Sequence, residues 1–147
     1  MADEDELVKV HFELKEPDMG SSGESLWAAP VGSNPYELRN SPWHVRNVNW
    51  LDVVEAIPEA EDLWPEFVKV HKRSGHRTIH LYISDAGQSS CQEILDMCNQ
   101  LGATYEGMND RIYALDFAPE IDIAPAIDYL RSMQKREWAD WRINDYE

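Results

Sequence analysis

The feature that most constrains how this chain can fold is the order of elements predicted for residues 78–133. Apolar and polar residues alternate over residues 78–83, which is the period of a strand with one buried face. A helix is predicted next, then strands at 104–107 and 111–117, and then a second helix. This order is most of a ferredoxin-like split βαβ arrangement, in which helices cover one face of a sheet and leave the other face open.

Both predicted helices carry signals for their ends. Ser90 is a favourable N-cap, and Glu93 follows it at the spacing of a capping box. Gly102 can end the first helix, and Asp122 can cap the second. Apolar residues recur at helical spacing in both, namely Cys91, Ile94, Leu95, Cys98 and Leu101 in the first and Ile127, Leu130 and Met133 in the second. Each helix should therefore bury one face.

The N-terminal half is expected to be rich in β-structure. Residues 8–14 alternate strictly between apolar and polar side chains, which is the clearest strand pattern in this half. Stretches rich in Gly, Ser and Pro predict turns between the shorter segments that follow. Further strands are predicted at residues 25–31, 36–39, 52–57 and 67–71. We expect these strands to form an antiparallel meander.

The predicted fold class is α+β, with an N-terminal antiparallel β meander followed by a ferredoxin-like βαββα unit. The expected divisions are a disordered acidic N-terminus at residues 1–6, a β-rich half at 7–72, a ferredoxin-like half at 73–134 and an aromatic, acidic tail at 135–147. In the tail, Trp138 and Trp141 are three residues apart, the spacing of one helical face. Packing of these rings on the core is favoured over docking into a partner.

The charge of the chain restricts its partners. Lys and Arg total 13 against 28 Asp and Glu, and the formal net charge is −15 at pH 7. Such a charge repels nucleic-acid phosphates and anionic membranes, so neither is expected as a partner. It attracts basic proteins, although solubility alone is a sufficient reason for an acidic surface.

The sequence also indicates a compartment. No apolar run approaches the roughly 20 residues that span a bilayer, and residues 1–6 are acidic where a secretory signal would be basic. Cys91 and Cys98 are seven residues apart on a predicted helix, about 10.5 Å along its axis, which is too far for a disulfide. We expect a cytoplasmic protein with two reduced cysteines.

The densest acidic stretch of the chain lies between residues 47 and 68, where there is no Lys or Arg. Six acids fall there, with a Trp near each end that can serve as an apolar anchor for a partner. The candidate partner-binding residues are Trp50, Asp52, Glu55, Glu59, Glu61, Asp62, Trp64 and Glu66. The alternative is a solvated loop with no binding role.

A basic loop at residues 72–77 gathers Lys72, Arg73 and Arg77 around a glycine between two predicted strands. Backbone amides and cationic side chains in such a loop can hold an anion. The candidate anion or ligand residues are Arg73, Gly75, His76, Arg77 and His80. The alternative is a tight turn whose basic groups pair with the protein's own carboxylates.

No catalytic, metal or cofactor motif is present in the sequence. The five histidines are His11, His44, His71, His76 and His80, and they form neither HExxH nor any pair spaced for zinc on one element. His76 and His80 would be about 13 Å apart along a strand, too far to share an ion. There is no GxSxG, no nucleotide-binding glycine pattern and no CxxC. We therefore predict no catalytic residues, no metal and no cofactor.

Several short runs resemble a known family. They are Val8-Lys9-Val10-His11-Phe12, Glu24-Ser25-Leu26-Trp27-Ala28, Asn49-Trp50-Leu51-Asp52-Val53-Val54, Arg73-Ser74-Gly75-His76-Arg77-Thr78 and Leu115-Asp116-Phe117-Ala118-Pro119-Glu120. Over about residues 7–133 the chain resembles the bacterial family called domain of unknown function 4265. The resemblance implies a bacterial origin and carries over no catalytic residue or cofactor. The family has a glycine where this chain has Leu51, so the turn geometry is in question at that residue.

Three classes of function are compatible with these patterns. The preferred one is a non-enzymatic acidic module that binds a basic protein, as an immunity-type inhibitor does when it covers the cationic site of a toxin. The alternative is a small-ligand-binding or enzymatic domain that uses the open sheet face near His76 and His80. A structural subunit of a larger assembly is the third. A pocket holding either histidine beside a buried carboxylate would favour the alternative, whereas a flat acidic face would favour the binding module.

The first prediction concerns how the fold is held. Because neither cysteine can bridge and no ligand set for a metal is recognisable, the melting temperature should be the same with and without a chelator or a reductant. Thermal unfolding followed by circular dichroism, with EDTA and dithiothreitol added separately, measures this. A fall of several degrees with either reagent would reveal a metal or a disulfide.

Overall fold

The computed structural model describes residues 7–18, 21–61 and 63–144, so the acidic N-terminus predicted at 1–6 lies outside the described residues. The strands of these ranges form two sheets. The first contains β1 (Val8–Asp18), β2 (Ser21–Pro30), β3 (Pro35–Leu38), β4 (Val53–Pro58) and β5 (Pro65–Lys72). The second contains β6 (Arg77–Ile83), β7 (Ala103–Gly107), β8 (Ile112–Phe117) and β9 (Ala139–Ile143), with helices α1 (Cys91–Gln100) and α2 (Ala124–Lys135) between strands. The α+β class predicted from the sequence is confirmed.

The first sheet is a closed barrel rather than the predicted open meander. Successive strands pair antiparallel from β1 to β5, and β1 then pairs in parallel with β5 where His11 lies opposite Glu66. Inside the barrel the rings of Phe12 and Phe67 stack with centroids 4.7 Å apart. Closure brings the inward residues of all five strands together, which an open meander would leave half exposed. The barrel lies outside any ferredoxin-like unit.

The second sheet has the spatial order β7-β8-β6-β9, and every neighbouring pair is antiparallel. Helices α1 and α2 pack on one face of this sheet. The buried side chains shared by that face and the helices include Ile79, Leu81, Ile83, Leu115, Phe117, Ile94, Cys98, Leu130 and Met133. This is the core predicted from the alternation in the strand at 78–83 and the apolar stripes of the helices.

The C-terminal tail corrects the sequence interpretation. The spacing of Trp138 and Trp141 predicted one face of a helix, but residues 139–143 form β9 at the edge of the second sheet. Trp141 lies opposite Leu81 in the register with β6, and both tail Trp rings pack on the core. The three-residue spacing was therefore misleading, because pairing with β6 decides the conformation of this segment. Residues 145–147 lie outside the described part of the chain.

The helix ends follow the sequence in part. Gly102, with φ of 110°, follows the C-cap Leu101 of α1, as predicted. The N-cap of α2 is Ile123 rather than the predicted Asp122, although the Asp122 carboxylate accepts a hydrogen bond from the Ala124 amide at 3.0 Å. The capping box at Ser90 does not form, since its side chain makes no cap hydrogen bond. A 3-10 helix, Asp85–Ser90, leads directly into α1 and is capped by Ser84 instead. The amides that Ser90 would cap already follow a helical turn.

Leu51 lies at the turn where the resembling family has glycine. Its φ is 65°, in the left-handed region that costs an L-residue roughly 1–2 kcal/mol. Hydrogen bonds on both sides hold the turn, because Leu51 donates to the Leu38 carbonyl at 3.0 Å and Leu38 donates to the Asp52 carbonyl at 2.9 Å. The left-handed turn at residue 51 therefore forms in this chain without a glycine.

Gly87 gives a second prediction about the fold. A Cβ added there would lie 2.1 Å from the carbonyl oxygen of Trp138, and the 3-10 helix cannot approach the start of β9 this closely with a larger residue. Gly87→Ala should lower the free energy of unfolding by roughly 3 kcal/mol, because the clash is with backbone that cannot rotate away. Urea unfolding measures the loss, with exposed Ser89→Ala in the same 3-10 helix as the control. Equal stability of the two variants would contradict this reading.

Candidate functional site

The second face of the sheet, predicted to be open, is covered. Residues 39–52 connect β3 to β4 and lie between the barrel and this face. Thr78, His80 and Asp116, which share the face, are exposed by 0, 7 and 5 per cent. The face is polar because it packs against a polar connection rather than against solvent. The junction of barrel and sheet is therefore where buried chemistry concentrates.

Glu24 on β2 fixes the connecting segment to the barrel. Its carboxylate accepts hydrogen bonds from three consecutive backbone amides, those of Trp43 at 2.7 Å, His44 at 3.0 Å and Val45 at 2.9 Å. Three donors from adjacent residues leave the backbone little freedom. The side chains of Trp43 and His44 are thereby placed against the second sheet.

A second buried carboxylate fixes the other end of the segment. Asp52 is fully buried and accepts hydrogen bonds from the amides of Asn49 at 2.9 Å and Ser74 at 2.8 Å. The Arg73 guanidinium lies 3.5 Å from the same carboxylate and also donates to the Asn47 carbonyl. Asp52, predicted to bind a partner, and Arg73, predicted to bind an anion, thus contact each other.

The remaining residues of the basic loop have separate positions. Gly75 has φ of 90°, and a Cβ there would lie 3.0 Å from the Pro119 ring, so the turn requires glycine. Arg77 is exposed at the start of β6. The loop therefore joins the barrel to the sheet, and anion binding by it stays a prediction.

His76 forms an ion-pair geometry with Asp116 at the buried junction. Its Nδ1 lies 2.9 and 3.1 Å from the two carboxylate oxygens, and the Trp50 ring stands edge-on to the imidazole with centroids 4.9 Å apart. Burial raises the pKa of Asp116, and the hydrogen bond from His76 opposes that rise. Burial also raises the pKa of Glu106, and the charge of Asp116 adds to the effect. Burial therefore disfavours the ionised form of both carboxylates, and hydrogen bonds from His76 to Asp116 and from Asn40 to Glu106 offset part of this effect.

The cavity beside this pair is small. Its volume is about 60 Å³ and it is lined by Ser41, Trp50, Thr104, Tyr105, Glu106 and Asp116. Organic ligands occupy pockets of roughly 300–1,000 Å³, whereas a water molecule needs only about 10–15 Å³. A histidine oriented by a carboxylate is an arrangement that general bases use. This cavity is large enough for a water molecule and smaller than the pockets that organic ligands usually occupy.

His80 has a defined tautomer. The Arg142 Nε can only donate, so the His80 Nδ1, 3.0 Å away, must accept. The Pro42 carbonyl can only accept, so the His80 Nε2, 3.0 Å away, must carry the proton. Both ring nitrogens are engaged in one neutral tautomer. His80 is therefore a positioning group at the junction and not a base poised for a substrate.

A larger cleft lies next to His80. Its volume is about 220 Å³, and it opens where the connecting segment meets β6 and β9. It is lined by Trp43, His44, His80, Leu81, Tyr82, Ile112, Asp140, Trp141 and Arg142. Arg142 also donates to the His44 carbonyl at 3.1 Å and so ties β9 to the connecting segment. The sequence pointed to the sheet face around His80 and Tyr82 but not to Trp43 or Arg142.

Comparison with known proteins identifies the family of this chain. Residues 24–141, most of the chain, match the family model described as Domain of unknown function (DUF4265). The chain belongs to the DUF4265 family. The family predicted from the sequence is thus confirmed, over residues 24–141 rather than the expected 7–133. No curated protein matches this DUF4265 chain.

One solved structure shares the fold of the DUF4265 chain. It is described as a novel crystal structure of a hypothetical protein from Neisseria gonorrhoeae. The TM-score is 0.70, the sequences are 16% identical, and the match covers 92% of each chain. At this identity the likeness shows the arrangement of barrel, sheet and helices, and it says nothing of chemistry.

The acidic stretch of the DUF4265 chain is divided by its fold. Trp50 is half-buried against His76, Asp52 is internal, and Glu55 lies 3.7 Å from the Lys69 ammonium. Glu66 is half-buried on β5, where it pairs across from Ile57. The members exposed at the β4–β5 hairpin are Glu59, Glu61 and Trp64, and Asp62 lies outside the described residues. The seven predicted residues that the structure describes therefore do not all face solvent.

Sequence reasoning missed three residues that organise the junction. From the sequence, Glu24 and Asp116 were noted only as parts of family motifs, and Arg142 only as part of the tail. The place of Asp116 at the junction follows from the pairing of β8 with its neighbours. Asp116 lies opposite Thr78 on β6 and opposite Thr104 on β7. Within the described ranges no three His, Cys, Asp or Glu side chains are placed to hold a metal ion. No helix there is long and apolar enough to cross a membrane.

A third prediction follows from the raised pKa of Asp116. The folded state binds this proton more tightly than the unfolded chain, so its stabilising effect is present below the unfolded pKa of about 3.9 and is lost as pH rises through the folded pKa. Asp116→Asn removes this titration. The free energy of unfolding of the variant should therefore fall less than that of the wild type as pH rises from about 4 to about 7.

Urea unfolding across this pH range measures the difference. The matched control is Asp128→Asn, which removes an exposed carboxylate on α2 and should keep the wild-type profile. A steeper loss of stability with rising pH in Asp116→Asn than in the wild type would contradict the prediction.

Proposed function

We propose that this DUF4265 chain is a non-enzymatic module that binds a basic protein through its β4–β5 hairpin. The observation that carries the proposal is a set of exposed apolar side chains beside exposed acids. Ile57, Leu63, Trp64 and Val68 are exposed by 47, 53, 53 and 51 per cent. We call these four residues together with Glu59 and Glu61 the hairpin surface.

The backbone explains why so much apolar surface faces outward. The register of β4 and β5 shifts between Glu55 and Ala56. Glu55 pairs with Lys69, whereas Ala56 pairs with Phe67. Val68 is the extra residue of this bulge, and both Val68 and Lys69 are exposed. Phe67 keeps its place in the barrel core. The bulge therefore turns an apolar side chain outward without loosening the core.

Charge supports a basic partner for the hairpin surface. No Lys or Arg occurs between residues 47 and 68, and the net charge of −15 extends the negative field around the whole protein. Such a field raises the association rate of a cationic protein. It also disfavours a second copy of the same chain as the partner. Trp64 is the best candidate for an anchor, because Trp is enriched among residues that dominate binding energy.

An immunity-type inhibitor that neutralises a basic toxin or enzyme is the specific form of this function that we propose. An acidic surface with an exposed aromatic anchor fits a cationic active site. An enzymatic role for His76 and His80 has less support, because His80 has both ring nitrogens engaged and the cavity beside the His76–Asp116 pair measures about 60 Å³.

Two finer descriptions stay proposals as well. The order β7-β8-β6-β9, with a helix after β6 and another after β8, supports a ferredoxin-like unit completed by β9. A cytoplasmic location is supported by two free cysteines, because thiols stay reduced in that compartment.

The fourth prediction tests the hairpin surface. Partner proteins captured from the native host are measured by surface plasmon resonance against the wild type and two variants. The double variant Glu59→Lys with Glu61→Lys should lower the association rate about tenfold at low salt and reduce its salt dependence. Trp64→Ala should mainly raise the dissociation rate, by roughly thirtyfold for an anchor worth about 2 kcal/mol.

The control is a second double variant with the same net charge as Glu59→Lys with Glu61→Lys, but with its substitutions at other positions. Glu120→Lys with Asp128→Lys alters two exposed acids outside the hairpin surface and should leave most of the affinity. An equal loss in both double variants would assign binding to overall charge. An affinity that responds to neither salt nor charge reversal would overturn the proposal.

A further inference from the structure

The barrel and the second sheet have separate hydrophobic cores. Among the described residues, the apolar cluster of the barrel and that of the sheet with its helices have no member in common. Val45 and Val48 of the connecting segment belong to the barrel cluster. The described chain passes from barrel to sheet once, at residues 73–76 between β5 and β6. The connecting segment therefore belongs to the barrel, and the sheet is a second body joined to it by one link.

Hydrogen bonds hold the connecting segment to the sheet. The Pro42 carbonyl accepts from the His80 ring at 3.0 Å. The His44 carbonyl accepts from the Arg142 guanidinium at 3.1 Å. Gly75 lies in the link between the two bodies and has φ of 90°, a conformation that glycine adopts without strain. Because these contacts are polar, the sheet can part from the segment while both hydrophobic cores stay intact.

His80 is a contact that one proton would break. Its Nδ1 accepts from the Arg142 Nε, 3.0 Å away, and so carries no proton in the closed junction. A proton on Nδ1 would remove this hydrogen bond and place an imidazolium against a guanidinium. Two positive charges in contact repel each other, and the repulsion is stronger for buried groups than in water. The closed junction therefore favours neutral His80.

Other titratable and charged groups lie on every element around His80. They are Arg142 and Asp140 on β9, Tyr82 on β6 and His76 just before it, Asp116 on β8, Glu106 on β7, His44 and Arg46 in the connecting segment, and Glu24 on β2. The carboxylates among them are engaged elsewhere, namely Asp116 by His76, Glu106 by Asn40, Glu24 by the amides of the segment, and Asp140 by the Trp141 amide and the Gln134 side chain. Ala114, which lies opposite His80 on β8, is uncharged. In the described contacts of the His80 ring the charged group is Arg142.

We propose that the junction is a latch that opens in acid, with His80 as its trigger and the link at residues 73–76 as its hinge. At neutral pH His80 is neutral, and the connecting segment stays on the sheet. In acid His80 takes up a proton, the segment leaves the sheet, and barrel and sheet each remain folded around their own core. No residue of the hairpin surface takes part, so the latch stands or falls independently of the proposed binding function.

The direction of the pH response follows from the protons that each form binds. An imidazole exposed to water takes up a proton at about pH 6.5, whereas the closed junction holds His80 without it. The open form therefore binds one more proton than the closed form in acid. The closed form keeps its full stability above about pH 6.5 and loses it as pH falls below that value. A difference of one proton raises the ratio of open to closed molecules about tenfold for each pH unit.

Hydrogen exchange followed by ¹H–¹⁵N NMR tests the latch in the full chain. The Asn47 amide donates across the junction to the Asn144 side chain at 3.1 Å, so its protection factor should fall about tenfold from about pH 6 to about pH 5. The Leu38 amide is bonded within the barrel part and the Ile83 amide within the sheet part, and both should keep their protection factors. Ring ¹⁵N signals at about pH 7 should show the His80 proton on Nε2 alone.

Three variants assign the trigger. His80→Gln removes the titrating ring and keeps a side-chain amide that can donate to the Pro42 carbonyl, so the pH dependence of Asn47 protection should disappear. His71→Gln removes an exposed histidine from β5 and should retain that pH dependence. His44→Gln removes a buried histidine of the connecting segment and should retain it as well. Unchanged amide spectra elsewhere show that each variant is folded.

Several results would overturn the proposal. In the wild type they are a constant protection factor for Asn47 between about pH 7 and about pH 5, an equal fall at Leu38 and Ile83, and a proton on His80 Nδ1 at about pH 7. Among the variants, an unchanged pH dependence in His80→Gln or its loss in His44→Gln would take the trigger away from His80. If His80→Gln does not fold, the wild-type tautomer and protection factors decide on their own.

Discussion

Two buried carboxylates hold the structure together at its centre. Glu24 accepts three consecutive amides of the connecting segment, and Asp52 accepts the amides of Asn49 and Ser74. Hydrogen bonds to a charged group are worth roughly 1.5–3 kcal/mol each, about twice a neutral one. These anchors fix both ends of residues 39–52, and bonds from His80, Arg142 and Asn144 hold the middle of the segment over the sheet. The position of Trp43, His44 and Trp50 depends on them.

The junction that results contains many buried hydrogen bonds, which fix its geometry. β9 reaches the connecting segment through Asn144, which accepts from the Asn47 amide at 3.1 Å and donates to the Val48 carbonyl at 2.6 Å. Apolar surfaces of barrel and sheet could slide against each other at little cost, whereas a buried polar group out of register loses its partner and keeps its desolvation penalty. Barrel and sheet therefore meet in one arrangement, and the cleft has a fixed shape.

The local sequence pattern predicted the helices and strands better than it predicted which strands pair with each other. The alternation at residues 78–83, the stripes of α1 and α2 and the glycine after α1 are local signals, and the structure follows them. Closure of the barrel depends on β1 meeting β5, a contact between distant residues that alternation does not encode. The helical prediction for the tail was wrong for the same reason. Residues 139–143 form a strand because they pair with the edge of β6, which is distant in sequence.

Charge read from the sequence misleads in a comparable way. Asp52 and Glu59 are both acids of one unpaired run, yet the first is an internal anchor and the second is exposed to solvent. A buried acid contributes to folding through its hydrogen bonds, while an exposed acid contributes to the field that a partner meets. The acidic surface is thus smaller than the composition indicates, and at the hairpin its acids lie beside exposed apolar side chains. Acid beside exposed Trp64 sets the hairpin apart from a merely solubilising surface, since solubility requires charge but gains nothing from an exposed aromatic ring.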